Sequence, residues 1–281
     1  MCLLFVYINP SPKEGEYKLV LVNNRDETYS RPTKPAHFWD TGILGGMDVE
    51  KGREGGTWLG ITKTGKIGCL LNIFQPKDSF SKDGAGRGFL VVNYLLENIS
   101  GIEYGENIAK AGVYYNPYHL VVLEPNKHSY NLMYFNNNSN AGQEFDSRFQ
   151  GFGNCPGDKP FKKVLKGKNE LEKIINKYGK ISQEKELVQE LHAMMQDQEK
   201  NLPDQQLVAQ GRGHPEALVK DLSSIWVSCP YVNYGTRTTT IILVDYSDRV
   251  VFRERTMKEP VTIENVEWDV SEFTFQRQSE L

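Results

Sequence analysis

The chain has 281 residues, 39% of them hydrophobic and 25% charged, with a formal net charge of −3. That is the composition of a folded globular protein with enough chain to bury a sizeable core. There is no basic stripe with interleaved aromatics, so nucleic acid is not an expected partner, and no apolar run nears the roughly 20 residues of a membrane-spanning helix.

In chain order, CLLFVYIN (residues 2–9) predicts a strand. PSPKEGE breaks it, and YKLVLVN (17–23) predicts a second strand that closes a hairpin. The apolar runs are nearly continuous rather than alternating, the pattern of strands covered on both faces. Residues 31–52 read as loop. GGTWLGIT (55–62) and IGCLLNIF (67–74) predict a second hairpin around the turn KTGK. GFLVVNYLLENI (88–99) and YGENIAKAG (104–112) have helical length and spacing. YHLVVLE (118–124) and YNLMYFN (130–136) predict a third hairpin, followed by NNNSNAGQ as a surface loop.

Two helices are predicted over 159–179 and 182–196, the second opened by Ser182 in an imperfect capping box. Strands follow at IWVSCP (225–230), TTTIILVD (238–245), RVVFRERT (249–256) and DVSEFTF (269–275). Strands, then helices, then strands, with no repeat and no linker, predict one α+β domain over residues 1–281. Two stacked, mostly antiparallel sheets with covering helices account for strands buried on both faces.

Four cysteines, Cys2, Cys69, Cys155 and Cys229, are widely spaced. They fit reduced thiols in a cytosolic compartment and have no zinc-site spacing. LLFVYI is short for a signal-peptide core and has no basic segment before it, so a cytoplasmic protein is expected. GAGRG (84–88) lacks the spacing of a dinucleotide loop, but it leaves glycines at a helix start, where an anion can sit. Two Cys-Pro pairs, at Cys155 and Cys229, read as turn chemistry, and no histidine or other residue is assigned to a metal.

Cys2 follows the initiating methionine. Removal of Met1 would leave a thiol and a free α-amine on one residue. The amine ordinarily titrates near 7.7–8.0 and the thiol near 8.5, so a neutral amine is available to take the thiol proton. Such a nucleophile needs a group to hold the amine and donors to stabilise an oxyanion. Cys2 alone also reads as a small buried hydrophobe. In a hairpin the polar run NNRDE (23–27) falls beside Cys2, with Arg25 and Asp26 directed to opposite faces; a solvated Arg–Asp pair at a strand end is the plainer reading.

MC at the start, NNRDE, EGGTWLGI, LLN and YGTRTTTIILVD together resemble the NRDE, or transport-and-Golgi-organization, family over nearly the whole chain. That family is similar to the N-terminal-nucleophile (Ntn) hydrolases, so the resemblance implies a four-layer αββα sandwich. It implies Cys2 as nucleophile, Asp26 holding the amine, Asn72 and Asn154 in the oxyanion region, and Arg237 as a late arginine of the site. Ligand contacts are expected from Asn24, Arg25 and Glu27 of NNRDE and from Trp58. The sequence departs from the related cysteine amidases at Asn23, where they carry an arginine; here Arg25 directly precedes Asp26. Taken singly, Asn72 also reads as a buried hydrogen-bond hub, Asn154 as a turn residue and Arg237 as a surface arginine.

The resemblance implies two functions. Animal members are implicated in intracellular haem mobilisation, lipid homeostasis and secretory and Golgi organisation. The leading expectation is therefore a carrier of haem, an acyl lipid or acyl-CoA, with no required cofactor, transient membrane association, and a cytoplasmic, mitochondrial or Golgi-associated location. The alternative is a cysteine C–N hydrolase cleaving an acyl amide through Cys2.

Overall fold

The computed structural model describes residues 1–137, 139–144, 147–156 and 159–278. The chain opens with β1 (Leu3–Ile8) and β2 (Tyr17–Thr28), then β3 (Thr33–Phe38), β4 (Ile43–Asp48), β5 (Leu59–Thr62) and β6 (Ile67–Asn72). Helices α1 (Gly88–Leu96) and α2 (Gly101–Lys110) precede β7 (Tyr118–Pro125), β8 (Tyr130–Asn136), β9 (Ser139–Glu144) and β10 (Phe149–Phe152). Next come α3 (Lys162–Tyr178), α4 (Glu184–Met195), α5 (Gln205–Gln210) and α6 (Glu216–Asp221). β11 (Ser228–Cys229), β12 (Tyr234–Asp245), β13 (Arg249–Met257) and β14 (Trp268–Gln276) close the set.

Among the described residues the strands form two seven-stranded sheets. One runs β10-β1-β2-β12-β13-β14, with β11 on β12, and the other runs β3 to β9 in chain order. Alternation along β1 explains the continuous apolar run. Leu4 and Val6 join Leu19, Leu21, Ile242 and Phe252 in a core between the sheets, facing Leu59, Ile61 and Val121. Leu3 and Phe5 face the other way, with Val20 and Val22, against Val164, Leu171, Leu187 and Leu191 of α3 and α4. A third core packs Leu70, Leu120 and Val122 under Leu90, Val91 and Tyr94 of α1. The layers are therefore αββα, as the resemblance implied.

Several expectations need correction. Residues 31–52 are not loop, because β3 and β4 lie there. Their signal is broken by Pro35 and by Gly45, whose backbone packs so close to β5 that an added Cβ would meet Leu59 O at 2.5 Å. The end of NNNSNAGQ, from Ser139, forms β9 with Glu144 and pairs with β8, and Asn138 lies outside the described residues. Only Ser228–Cys229 of IWVSCP is strand. β10, α5 and α6 are too short to leave a periodic signal.

The correction that bears on function is the length of β2. It does not stop at Asn23 but runs through Asn24, Arg25, Asp26 and Glu27 to Thr28. These polar residues pair with β12, Asn24 opposite Thr239, Arg25 opposite Thr238 and Asp26 opposite Thr236. The register shifts between Thr236 and Thr238, leaving Arg237 as the extra residue of a bulge. Leu3 pairs with Asn24, so Cys2 enters the sheet beside the polar run.

Candidate functional site

Alternation divides the polar run between two faces. Asn24 turns to the helix side, where its amide donates to Met195 O at 2.8 Å and Ile225 O at 3.2 Å and accepts from Thr239 Oγ1 at 2.7 Å. It is fully enclosed and lines neither cavity at the site, so it anchors the end of α4. Asn23 turns inward between the sheets and donates to Leu3 O at 2.8 Å. Arg25 shares that inward face. Its guanidinium lies over the Trp58 ring, 4.1 Å from the centroid, and donates to Thr33 Oγ1 at 3.1 Å.

Asp26 faces the other way. Its Oδ1 accepts from Thr236 Oγ1 at 2.6 Å, and its Oδ2 lies 3.1 Å from the Met1 amine. That amine also contacts the Tyr234 hydroxyl, which donates to Asp26 O at 3.2 Å. The Cys2 thiol sits 3.8 Å from the same carbonyl and packs against the core between the sheets. Cys2 is thus flanked by both halves of the Arg25-Asp26 pair, the guanidinium on the thiol's side and the carboxylate on the amine's side. Burial pushes the Cys2 thiol up, opposed chiefly by the terminal amine, so the resting group is the neutral thiol and needs a base to be activated.

Two cavities meet at Cys2, Asp26 and Asn72. The larger, about 370 Å³, is lined by Arg25, Glu27 and Trp58 and closed by the 84–88 glycine loop. The smaller, about 240 Å³, has an apolar rim of Ile73, Phe74, Pro76 and Phe80 and includes Asn154. Asn72, exposed at the end of β6, makes no side-chain hydrogen bond to another described residue, while its backbone carbonyl accepts from Asn154 Nδ2. Each amide nitrogen carries two N–H donors. Asn72 therefore has both free among the described residues, and Asn154 keeps one. Gln210 Nε2 and Phe74 N donate to the Asn154 backbone carbonyl at 3.1 and 2.8 Å.

Arg237 is at this end of the sheet, but its side chain is enclosed (1% exposed) and lines neither cavity. It donates to Thr28 O at 3.2 Å and to Arg31 O, and pairs with Glu259 at 2.7 Å. It therefore fixes the turn after β2 rather than facing Cys2. The thiols of the two Cys-Pro pairs are buried and line neither of these cavities.

The family model described as "Transport and Golgi organisation 2" matches residues 1–259. The chain belongs to this family. The bovine Transport and Golgi organization protein 2 homolog is 33% identical over 99% of this chain and 100% of its own length. The human homolog is 33% identical over 98% and 100%, and the Drosophila melanogaster protein 34% over 92% of each. Among solved structures, a mutant conjugated bile acid hydrolase from Clostridium perfringens is similar over 100% of this chain and 99% of its own, at 9% identity and a TM-score of 0.39. A likeness at that level carries neither mechanism nor substrate to this member of the family.

Two further residues, Lys163 behind the site and Arg87 in it, carried no readable signal in the sequence. Lys163 of α3 is fully buried and donates to Ser224 O at 3.1 Å, with Asp26 the chief charge favouring its ammonium form. Its neighbours in KKVLK are exposed or half-buried lysines, and nothing local distinguishes it from them. Arg87, in GAGRG, lines both cavities and was overshadowed by the glycines around it.

Proposed function

We propose that this protein is a cysteine C–N hydrolase of the amino-terminal-nucleophile kind, acting on a small acyl amide. The observation that supports it is the convergence of Cys2, Asp26, Asn72 and Asn154 where two cavities meet. Once Met1 is removed, the Cys2 amine is the base nearest the thiol, and Asp26 and Tyr234, which contact the Met1 amine in the unprocessed chain, would hold it. The amine takes the thiol proton, and sulfur attacks the acyl carbon. The amide donors of Asn72 and Asn154 carry the oxyanion. Collapse breaks the C–N bond, and the leaving amine takes the proton back from the Cys2 ammonium. Water then hydrolyses the thioester. The apolar rim at Ile73, Phe74 and Phe80 suits the acyl chain.

The same rim favours a second reading, a carrier for haem or an acyl lipid that uses the site without turnover. The larger cavity weighs against the carrier as the first choice, because charged groups such as Arg25, Glu27, Arg53, Lys82 and Arg87 line it beside the apolar ones. Relatives are named for transport and Golgi organisation, and either activity is compatible with such a role.

The reading is tested by trapping the thioester. Protein shown by intact mass to begin at Cys2 is mixed with a panel of N-acyl amides and quenched in acid. An acyl adduct mapped to Cys2, absent in Cys2→Ser, is the expected result. Saturable ligand binding with no adduct and no amine release, unchanged in Cys2→Ser, would favour the carrier.

A further inference from the structure

The larger cavity holds two arginines, Arg25 and Arg87, that make no direct ion pair among the described residues. Arg25 is only 4% exposed, yet it makes no ion pair among the described residues and donates one hydrogen bond, to Thr33 Oγ1. A guanidinium has five N–H donors, and buried charges are as a rule paired. Trp58 covers one face of it. Trp58 Nε1, itself buried, likewise has no hydrogen-bond partner among the described residues.

Arg87 lines the same cavity. It donates to Pro117 O at 2.9 Å and to Asn116 O at 3.5 Å, again with no carboxylate partner. Of the acidic groups nearby none pairs directly with Arg25 or Arg87, though Glu27 is the leading charge favouring both. Asp48 pairs with Arg31 at 2.6 Å, Glu27 lies 3.8 Å from the same arginine, and Asp26 is held by Thr236 and the Met1 amine. Arg87 also stands at the N-cap of α1, a nine-residue helix with no side-chain cap, whose first residues Gly88 and Phe89 line the cavity. The Arg53 guanidinium packs against Gly86 at the cavity lining.

We infer that Arg25, Arg87 and the start of α1 form a subsite for a single anionic group, a carboxylate or a phosphate, on the ligand. Charge-assisted donors and the positive end of the helix converge on it. Arg87 lines both cavities, so the subsite adjoins the apolar rim of Ile73, Phe74 and Phe80, and the ligand it suits is amphiphilic, apolar at one end and anionic at the other. This deepens the reading of the same site given above, but the anion's binding does not need the thiol.

The test uses the whole chain and simple probe anions. Thermal stability is followed as inorganic phosphate, or separately acetate, replaces chloride at constant ionic strength. The wild type is expected to be stabilised by at least one of them. Protection by acetate alone assigns a carboxylate, by phosphate alone a phosphoryl group, and by both a site that accepts either. Arg87→Gln, at a half-exposed residue that need not disturb folding, is expected to weaken the response about tenfold or more, the loss of one charge-assisted hydrogen bond. Arg25→Gln is expected to do the same, while Lys173→Gln, on the exposed side of α3, responds as wild type. No protection of the wild type by either anion, or an unchanged response in Arg87→Gln, overturns the subsite. Cys2→Ser is expected to keep the anion response. An anion response lost only in the arginine variants, together with no amide turnover in the wild type, would defeat the hydrolase and leave the subsite standing.

Discussion

Adjacent residues on β2 have opposite surroundings because a strand turns successive side chains to opposite faces. Arg25 stacks on Trp58 between the sheets, and Asp26 meets the terminal amine on the helix side. If the amine is the base, Cys2→Ser and Asp26→Asn are both expected to leave the fold intact, Cys2→Ser abolishing amide turnover and Asp26→Asn lowering it by several powers of ten. Circular dichroism beside a turnover assay checks this, and activity of Asp26→Asn near the wild-type level would remove Asp26 from the chemistry. Lys163 gives a second prediction. Burial pushes its ammonium down to about 8 from its ordinary 10.5. Below about 8 the group is charged in both folded and unfolded chains, and the full burial penalty is present. Between about 8 and 10.5 the unfolded chain holds more protons, so stability rises with pH. Relative to Lys163→Met, the wild type is expected to gain roughly 3 kcal/mol across that window in urea titrations. A flat difference would mean the amine is solvated. The sequence marked Cys2, Asp26, Asn72 and Asn154 because each stands in a distinctive motif. Lys163 was hidden because burial is a property of α3 against the sheet and not of its local residues.

At the scale of elements, Glu254 on β13 reaches across the sandwich. Its Oε1 accepts from Ala36 N of β3 at 2.7 Å, and its Oε2 accepts from Thr240 Oγ1 at 3.1 Å. Burial raises its carboxyl to about 7 from an ordinary 4.5, with Arg25 opposing the shift. Below about 4.5 it is neutral in both states. As pH rises toward 7 the unfolded chain ionises first, so the native state loses relative stability, and the penalty is complete above about 7. Against Glu254→Gln, the wild type is therefore expected to lose roughly 3 kcal/mol between those limits, measured by denaturant unfolding at each pH. A difference that does not change with pH would mean that the carboxylate is compensated in the fold. β3, the strand this group secures, was invisible in the sequence because Pro35 and the close-packed glycines of β4 suppress the apolar pattern. The β1–β2 and β7–β8 hairpins were legible because both faces of those strands are covered and their apolar runs are continuous. The end of β2 was misread for the converse reason. Its polar residues are satisfied by threonines of β12, about 210 residues away (Thr236 to Asp26), a pairing that no local signal announces.

For the whole molecule, the αββα layering assembles residues from both ends and the middle of the chain at one edge of the sandwich. Order of strands and helices along the chain already implied stacked sheets, and the resemblance added the layer count. What neither supplied was the division of the site into a cavity rich in charge and one with an apolar rim, since that depends on how the 84–88 loop and the segment after β6 fold over Cys2. That division, with Cys2 where the two cavities meet, supports the proposal of a hydrolase of amphiphilic amides. The most direct test is release of free amine from N-acyl amides bearing an anionic group, using protein whose mass shows that it begins at Cys2. Turnover by the wild type that disappears in Cys2→Ser and is weakened in Arg87→Gln is the predicted result. No release by correctly processed wild type across acyl lengths, with ligand still bound, would contradict it.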